Sequence, residues 1–398
     1  AIVRLLDRAQ TEKPQIARMA DRISGWFVSA ILLLATTVAA WWAMHEPDKA
    51  FVVTLSVLVI TCPCALSLAT PTAVTAATGA LTKIGLLITR GHALETLAKA
   101  THIVFDKTGT LTHGRLRLES VIPLGDTNKE QVLAIAAALE SRSEHPVARL
   151  LAHSAQGDLP EATELESRPG HGVEGIIDGT RYRIGSLRYV SELGDLDAEQ
   201  HKSGTTRIAL GTAKSLVAWF ELSDTLRSDA EESIRDLRSL GLEVQILSGD
   251  VPEAVASVAQ SLKIDQYEGE LRPEEKLERV RALQNVGGIV VMAGDGVNDA
   301  PVLAGSDASL AVGSGSQLAH ASADMILLSE QLSHIADGIR TARRTVSIIR
   351  QNLSWAVLYN VAAVPLAAAG LVVPWMAALG MSISSLIVVV NSLRLKSG

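Results

Sequence analysis

Asp106-Lys107-Thr108-Gly109-Thr110-Leu111-Thr112 is the stretch on which the fold turns. It follows the apolar run His102-Ile103-Val104-Phe105, which reads as a short strand ending in a carboxylate. A carboxylate there, before a Gly/Thr turn offering backbone N–H groups, can attack a phosphoryl group and hold the transferred oxygens. The same strand-then-turn pattern recurs further along. Val244–Leu247 precedes Ser248-Gly249-Asp250, and Gly288–Met292 precedes Gly294-Asp295-Gly296. Helical segments, Arg227–Leu240 and Pro252–Leu262, lie between them. Strands alternating with helices predict a parallel doubly wound sheet whose sites lie at the carboxyl ends of its strands. Asp295, Asn298 and Asp299 supply oxygen donors of the kind Mg²⁺ takes. Lys276, in Pro273-Glu274-Glu275-Lys276, offers a cation for a transferring phosphoryl group. Each alone reads as an acidic turn or a surface lysine; three in order at successive strand ends point to one site.

The rest of the 398 residues is unevenly apolar: 47% are hydrophobic and 20% charged. No charge occurs from Ile23 to Met44, from Ala50 to Thr82, or from Gln351 to Leu393. A helix needs roughly 20 apolar residues to cross a bilayer, so the first run fits one span and the second fits one span plus a polar-flanked extension. The third is longer and holds Gly370 and Pro374 near its middle, predicting two spans and a tight turn. Arg4, Arg8, Lys13 and Arg18 precede a full-length span with no small-residue cleavage pattern, which argues against a signal peptide. Basic residues flank the spans on one side (Arg18, Arg22, Lys83, Arg90, Arg340, Arg343, Arg344, Arg350, Arg394, Lys396), so the middle segment is expected in the cytoplasm. A net charge of −7 gives no basic patch for nucleic acid. The two cysteines, Cys62 and Cys64, lie inside a span around Pro63 and are spaced badly for a structural disulfide. Pro63 should kink the helix and turn both thiols toward a shared site.

Asp106–Thr112, Lys276 and Gly294–Pro301 together resemble the phosphorylation domain of P-type ATPases, a haloacid-dehalogenase-like α/β fold. The resemblance implies Asp106 as phosphorylated nucleophile, with Lys107 beside it, and Asp106, Thr108 and Asp295 on Mg²⁺. Asn298 and Asp299 would complete the catalytic cluster, and Lys276 would contact the phosphate. Ser248-Gly249-Asp250 stands where the family has T-G-D, keeping the hydroxyl. The region from about Ser120 to Trp219 reads as an inserted α+β domain. Its Ser143-Glu144-His145-Pro146, with Glu140 before it, is similar to the nucleotide-binding signature of the heavy-metal class. Gly170-His171-Gly172 looks like that family's G-x-G, letting backbone approach adenine and ribose. Gly185-Ser186 stands where the family often has Gly-Asn, which should weaken one nucleotide contact. Gly170, Gly172 and Gly175 also spell a weak dinucleotide fingerprint, rejected because no βαβ unit or distant acid accompanies it. Cys62-Pro63-Cys64 ahead of D-K-T-G-T is the heavy-metal arrangement, and Tyr359-Asn360 and Met381 to Ser385 resemble motifs of the Cu⁺-exporting branch. Thiolates and a thioether are soft donors that suit Cu⁺, and no carboxylate lies in the last spans for Zn²⁺.

The expected organisation is a cytoplasmic stalk (1–22), two transmembrane helices (23–72), a stalk helix (73–100) and a phosphorylation domain (101–119 and 220–337). A nucleotide-binding domain (120–219) interrupts the last, and a stalk (338–353) and two transmembrane helices (354–393) follow. The resemblance implies ATP and Mg²⁺ as cofactors, Cu⁺ as cargo, a cytosolic copper donor as partner, and a multi-pass place in a bacterial inner membrane. The T-G-E of an actuator domain does not occur, so the chain is expected to be part of a longer pump and to turn over poorly alone. A Zn²⁺-type relative, a membrane-tethered phosphatase and a non-enzymatic metal-binding protein are the rivals. The nucleotide signature and the strand-end motifs weigh against the last two.

Overall fold

The computed structural model describes residues 15–125, 127–143, 146–155, 157–168, 171–194, 206–295, 299–313 and 323–396. His145, Gly170, Asn298 and most of the predicted N-terminal stalk therefore lie outside the described residues. The described strands are, in chain order, β1 Leu86–Ile88, β2 His102–Phe105, β3 Thr112–Pro123, β4 Ala162–Arg168, β5 Gly172–Ile177, β6 Thr180–Gly185 and β7 Thr206–Thr212. Then come β8 Leu216–Leu226, β9 Glu243–Leu247, β10 Gln266–Glu268, β11 Val290–Gly294, β12 Ala308–Val312 and β13 Met325–Leu327. The chain divides into two compact units, one of Ala1–Ile103, Arg235–Glu243 and Val280–Gly398, the other of Val104–Ile234 and Val244–Arg279.

The first unit joins long apolar helices to a small sheet. Helices run over Gln15–His45, Pro47–Ile60, Cys64–Lys83, Ser333–Ala368 and Pro374–Leu393. Pro47 and Pro374 open theirs, where a missing N–H costs nothing. Gly370, at φ +76°, makes the expected turn between the last two; a Cβ there would lie 2.9 Å from the Trp42 ring. Trp42 Nε1 donates to the Ala368 carbonyl at 3.0 Å, satisfying a group the helix end leaves unpaired. By length and composition, two described stretches can cross a membrane, Pro47–Lys83 and Pro374–Leu393, and Ser29–His45, part of the helix Gln15–His45, is apolar as well. Four spans were expected; in Ser333–Ala368 the arginines Arg340, Arg343, Arg344 and Arg350 occupy the first half and about 27 Å of uncharged helix follows.

One correction concerns the predicted stalk helix 73–100. The helix stops at Lys83; Gly85 takes φ +82° in contact with Ser329, and the fully buried Leu86–Ile88 turns into a strand. That strand pairs antiparallel with β13, while β13, β12 and β11 run parallel in the order β1-β13-β12-β11. The sheet is thus parallel except for one short edge.

In the second unit the order is β2-β9-β10, with β9 and β10 parallel. A separate antiparallel sheet of six strands, β3-β8-β7-β6-β5-β4, forms the insert. It opens at Thr112 and closes at Leu226, paired in register, so it is wider than the expected 120–219. Helix Lys129–Leu139 starts with a capping box between Asn128 and Gln131 and buries Val132, Ala136 and Leu139. Phe220, Ile184 and Leu151 complete that core, and truncating Phe220 to alanine would cost about 3–5 kcal/mol.

Candidate functional site

Asp106 leaves the end of β2 into an irregular turn, Lys107–Leu111, in which Gly109 adopts φ +72°. A side chain at that φ would be strained, so the glycine is what lets the turn close. Lys276 Nζ reaches Asp106 Oδ1 at 2.6 Å, with both groups buried. Lys107 Nζ lies 2.6 Å from Asp250 Oδ2, and Thr108 Oγ1 donates to the same oxygen at 2.9 Å. Asp250 N–H donates to Ser248 Oγ at 3.2 Å, so the Ser-Gly-Asp hydroxyl is spent on shaping its own turn. Burial pushes the Asp250 carboxyl up, but the Lys107 ammonium and the Thr108 and Ser248 hydroxyls together hold it below its ordinary value. Asp106, Lys107, Thr108, Ser248, Gly249, Asp250 and Lys276 thus all belong to the second unit, where Lys276 pairs with Asp106 and Lys107 with Asp250.

The sequence reading missed what holds this turn. Arg227, almost fully buried, donates from Nε to the Thr110 carbonyl at 2.7 Å and from Nη2 to the Gly109 carbonyl at 3.1 Å. Its backbone N–H bonds the Leu111 carbonyl at 3.0 Å. Thr112 Oγ1 lies 3.1 Å from the Lys107 carbonyl, accepts Gly109 N–H at 3.1 Å and contacts the Asp224 carboxylate. The only sequence signal was Asp224 near the end of β8 and Arg227 just beyond it, where the chain leaves the insert. Its use depends on contacts made across the whole insert.

In the first unit, Asp295 follows β11, and Asp299 is buried at the start of helix Ala300–Gly305. A Cβ on Gly294 would come within 3.4 Å of Asp299 Oδ2, so the glycine leaves room for that carboxylate. Carboxylate and carbonyl oxygens of this kind are the hard donors Mg²⁺ prefers.

The insert carries a cleft of about 330 Å³ whose lining includes Glu140, Ser143, Arg168, His171, Gly172, Gly185, Ser186 and Arg207. A mixed apolar and polar cleft of that size fits a nucleoside. Glu140, buried at the end of helix Lys129–Leu139, can accept from an amino group, and Pro146 opens the next helix. The two glycines have a reason beyond ligand approach. Gly172 and Gly185 face each other across β5 and β6 at φ +153° and +152°. A Cβ on either would come within 3 Å of the other's Cα. Ser186 caps helix Leu187–Ser191 through Tyr189 N–H at 3.3 Å, so the residue that departs from the family pattern has a structural task of its own.

Among the apolar helices, Cys62 N–H bonds the Val59 carbonyl, and the helix restarts at Cys64 after Pro63. The structure joins Cys62 and Cys64 as a disulfide, with their Cα atoms 5.5 Å apart, against the expectation from spacing. The physical reason is the break at Pro63, which leaves Cys62 outside regular helix and Cys64 at the first position of the next one, so that the two sulfurs can meet. Ala65, Ala69, Ala356 and Val388 pack the Cys helix against the two C-terminal helices. The Tyr359 hydroxyl abuts Gly380, beside the half-buried Met381. Asn360 Nδ2 donates to Ala356 O at 2.8 Å, while Asn360 Oδ1 and the Tyr359 hydroxyl are buried without a partner. Ser385 is half-buried, and its neighbour Ser384 accepts from Trp355 Nε1 at 3.2 Å.

Residues 100–307 match the haloacid dehalogenase-like hydrolase family. A probable copper-exporting P-type ATPase V of Mycobacterium tuberculosis is 38% identical over 99% of the chain and 53% of its own length. A probable copper-transporting ATPase, PacS, of Synechococcus elongatus is 38% identical over 99% of the chain and 56% of its own length. The chain spans about half the length of the curated relatives it matches. Among solved structures, a zinc-transporting PIB-type ATPase in an E2·Pi state matches 99% of the chain and 66% of its own, at TM-score 0.78 and 31% identity. The catalytic domain of the CPx-ATPase CopB-B matches 66% of the chain and 98% of its own, at TM-score 0.57 and 29% identity. The chain belongs to the haloacid dehalogenase-like hydrolases and, within them, to the heavy-metal P-type ATPases.

Proposed function

We propose that this chain is the phosphorylating, nucleotide-binding and metal-carrying part of an ATP-driven pump that exports Cu⁺, and Ag⁺ with it, across a bacterial inner membrane. The observation that carries the reading is the buried Asp106 carboxylate at a strand end with the Lys276 ammonium 2.6 Å away. An Asp106 oxygen attacks the γ-phosphorus of ATP; an O–P bond forms, the bond to the ADP oxygen breaks, and ADP leaves with that electron pair. Lys276 and Lys107 offset the charge on the transferring group, and Asp250 keeps Lys107 and Thr108 pointed at the turn. By the motif pattern Asp106, Thr108 and Asp295 would hold Mg²⁺, which when bound supplies further charge neutralisation. Glu140, His145, Gly170 and Gly172 would hold the adenosine end of ATP.

The choice of Cu⁺ rests on donor chemistry. Once their disulfide is reduced, Cys62 and Cys64 offer two thiolates which, with the Met381 thioether, are soft donors, and the uncharged run Gln351–Leu393 offers no carboxylate to balance a divalent ion. Two buried oxygens without partners, on Tyr359 and Asn360, lie among the same helices. Zn²⁺ is the second reading, favoured by the zinc-transporting structure that the chain resembles. A cytosolic copper donor would supply the cargo.

The test is phosphorylation by labelled ATP with Mg²⁺ in reducing buffer, comparing Cu⁺, Ag⁺ and Zn²⁺. Cu⁺ and Ag⁺ should raise an acid-stable, hydroxylamine-sensitive label that Asp106→Asn lacks. Label surviving in that variant would sink the phosphoenzyme reading, and stimulation by Zn²⁺ alone would replace copper with zinc.

A further inference from the structure

Three helices of the first unit carry the candidate metal residues, and each brings a further polar side chain to one common point. Asn352, on the Tyr359 helix, is almost fully buried and donates from Nδ2 to Ser392 Oγ at 3.0 Å. Ser392, on the Met381 helix, is buried as deeply and lies 3.1 Å from Thr72 Oγ1 on the Cys64 helix. Asn391 Nδ2 donates to Asn352 Oδ1 at 2.9 Å and to Gln351 Oε1 at 3.2 Å. Arg394 Nη1 closes the group by donating to Asn391 Oδ1 at 3.0 Å.

The spacing is the informative part. Thr72 lies about two helical turns beyond Cys64, Asn352 about two turns before Tyr359, and Ser392 about two turns beyond Ser385. On every helix the polar residue is therefore roughly 10–12 Å from the metal-candidate residue, toward the basic end of the spans. Helices in a bilayer gain little from apolar contact with each other, so polar side chains bonded across them decide how they align. The amides of this group bond one another and Ser392 across the helices, while the Thr72 and Ser392 hydroxyls also donate back to their own helices, to the Leu68 carbonyl at 2.6 Å and the Val388 carbonyl at 2.9 Å, which makes the group a fastener rather than an ion station.

We propose that Thr72, Asn352, Asn391 and Ser392 are positioning residues: a clamp that fixes the register of the three metal-bearing helices and so sets the affinity of the Cys62–Cys64 site for Cu⁺. A slip of one helix by a single residue rise, about 1.5 Å, would carry Met381 or Tyr359 out of step with the two thiols. The inference rests on the metal reading of these helices.

The experiment measures Cu⁺ affinity of the reduced full chain in detergent by competition with a chromogenic chelator, alongside its thermal midpoint. Thr72→Val removes one bond from the clamp and should weaken Cu⁺ binding about threefold, the size of one such bond in a membrane. Thr72→Ser keeps the hydroxyl and should bind like the parent chain. Asn352→Leu removes at least two bonds and should weaken binding about tenfold. Equal affinity in Thr72→Val and Thr72→Ser overturns the clamp, as does an Asn352→Leu protein that melts earlier yet binds Cu⁺ unchanged. If Asn352→Leu fails to fold, the two Thr72 variants decide alone. Cys62→Ser separates the two readings: binding untouched by that change means the metal reading has failed and takes the clamp with it.

Discussion

The turn after Asp106 and the bend at Pro63 solve opposite problems. Around Asp106 nearly every charged or backbone group of the turn meets a partner inside the protein: Lys276, Lys107 with Asp250, and Arg227 on two carbonyls. Among the described residues of the turn, only the Thr110 hydroxyl is buried without one. Around Pro63 the neighbouring helices bury the Tyr359 hydroxyl and Asn360 Oδ1 unpaired, at a cost of about 1–3 kcal/mol for each such group. The difference teaches how each site meets its substrate. On the proposed function, a phosphoryl group would meet a lattice of fixed charges that has no need to rearrange, the arrangement electrostatic catalysis relies on. An ion would meet soft donors and unpaired oxygens inside an apolar bundle, where binding itself would supply the missing partners.

The comparison breaks most decisively at the bend. Cys62→Ser and Cys64→Ser should each abolish metal-stimulated phosphorylation, a loss of about a hundredfold or more, because a hard hydroxyl replaces a soft thiolate. Label formed at parental rates in either variant would mean that the ion is held elsewhere. The turn should break less completely. Arg227→Gln leaves two carbonyls with weaker donors and should cost about 2–3 kcal/mol of stability. It should slow label formation about tenfold while ATP affinity, measured at the cleft of the insert, stays within twofold; equal losses in both would show that Arg227 supports the fold generally.

The smallest expected effect concerns pH. Asp250 is held below its ordinary value of 3.8, so its ionised form is favoured in the folded state. Its contribution to stability is therefore complete above that ordinary value and is lost as pH falls through the lowered one. Lys107→Met removes the ammonium responsible and should move the acid limb of unfolding up by a few tenths of a pH unit. An acid limb that does not move would show that the hydroxyls alone hold the carboxylate.

Much of this was legible before any coordinates, and for a specific reason. Strand ends followed by Gly and Asp are local signals, so the αβ alternation and the Asp106, Asp250 and Asp295 turns stand out in a single pass. Lys276 was readable from its helix-start context, although its distance to Asp106 was not. What stayed hidden is long-range or too short to show a period. β1 is three residues inside a stretch that otherwise reads as helix, and only its pairing with β13 makes it a strand. Arg227 meets Gly109 across the entire insert, and the Asn352–Asn391 bond needs two helices laid side by side. Gly172 and Gly185 were seen, but as ligand contacts; that they also face each other follows only from the register of β5 and β6.

That β3 begins and β8 ends at one paired position, Thr112 opposite Leu226, changes what the insert is to the rest of its unit. Chain closure costs free energy according to how far apart the ends of a segment are held, and it grows only slowly with length. Here the ends are neighbours in a ladder, so the Asp106 side of the unit experiences a hundred-residue insert much as it would a hairpin turn. Such a segment can be lengthened, shortened or exchanged for another nucleotide-holding module without asking the catalytic turn to move. The insert is in that sense a cartridge, and Thr112, held by Asp224, is the latch on its socket.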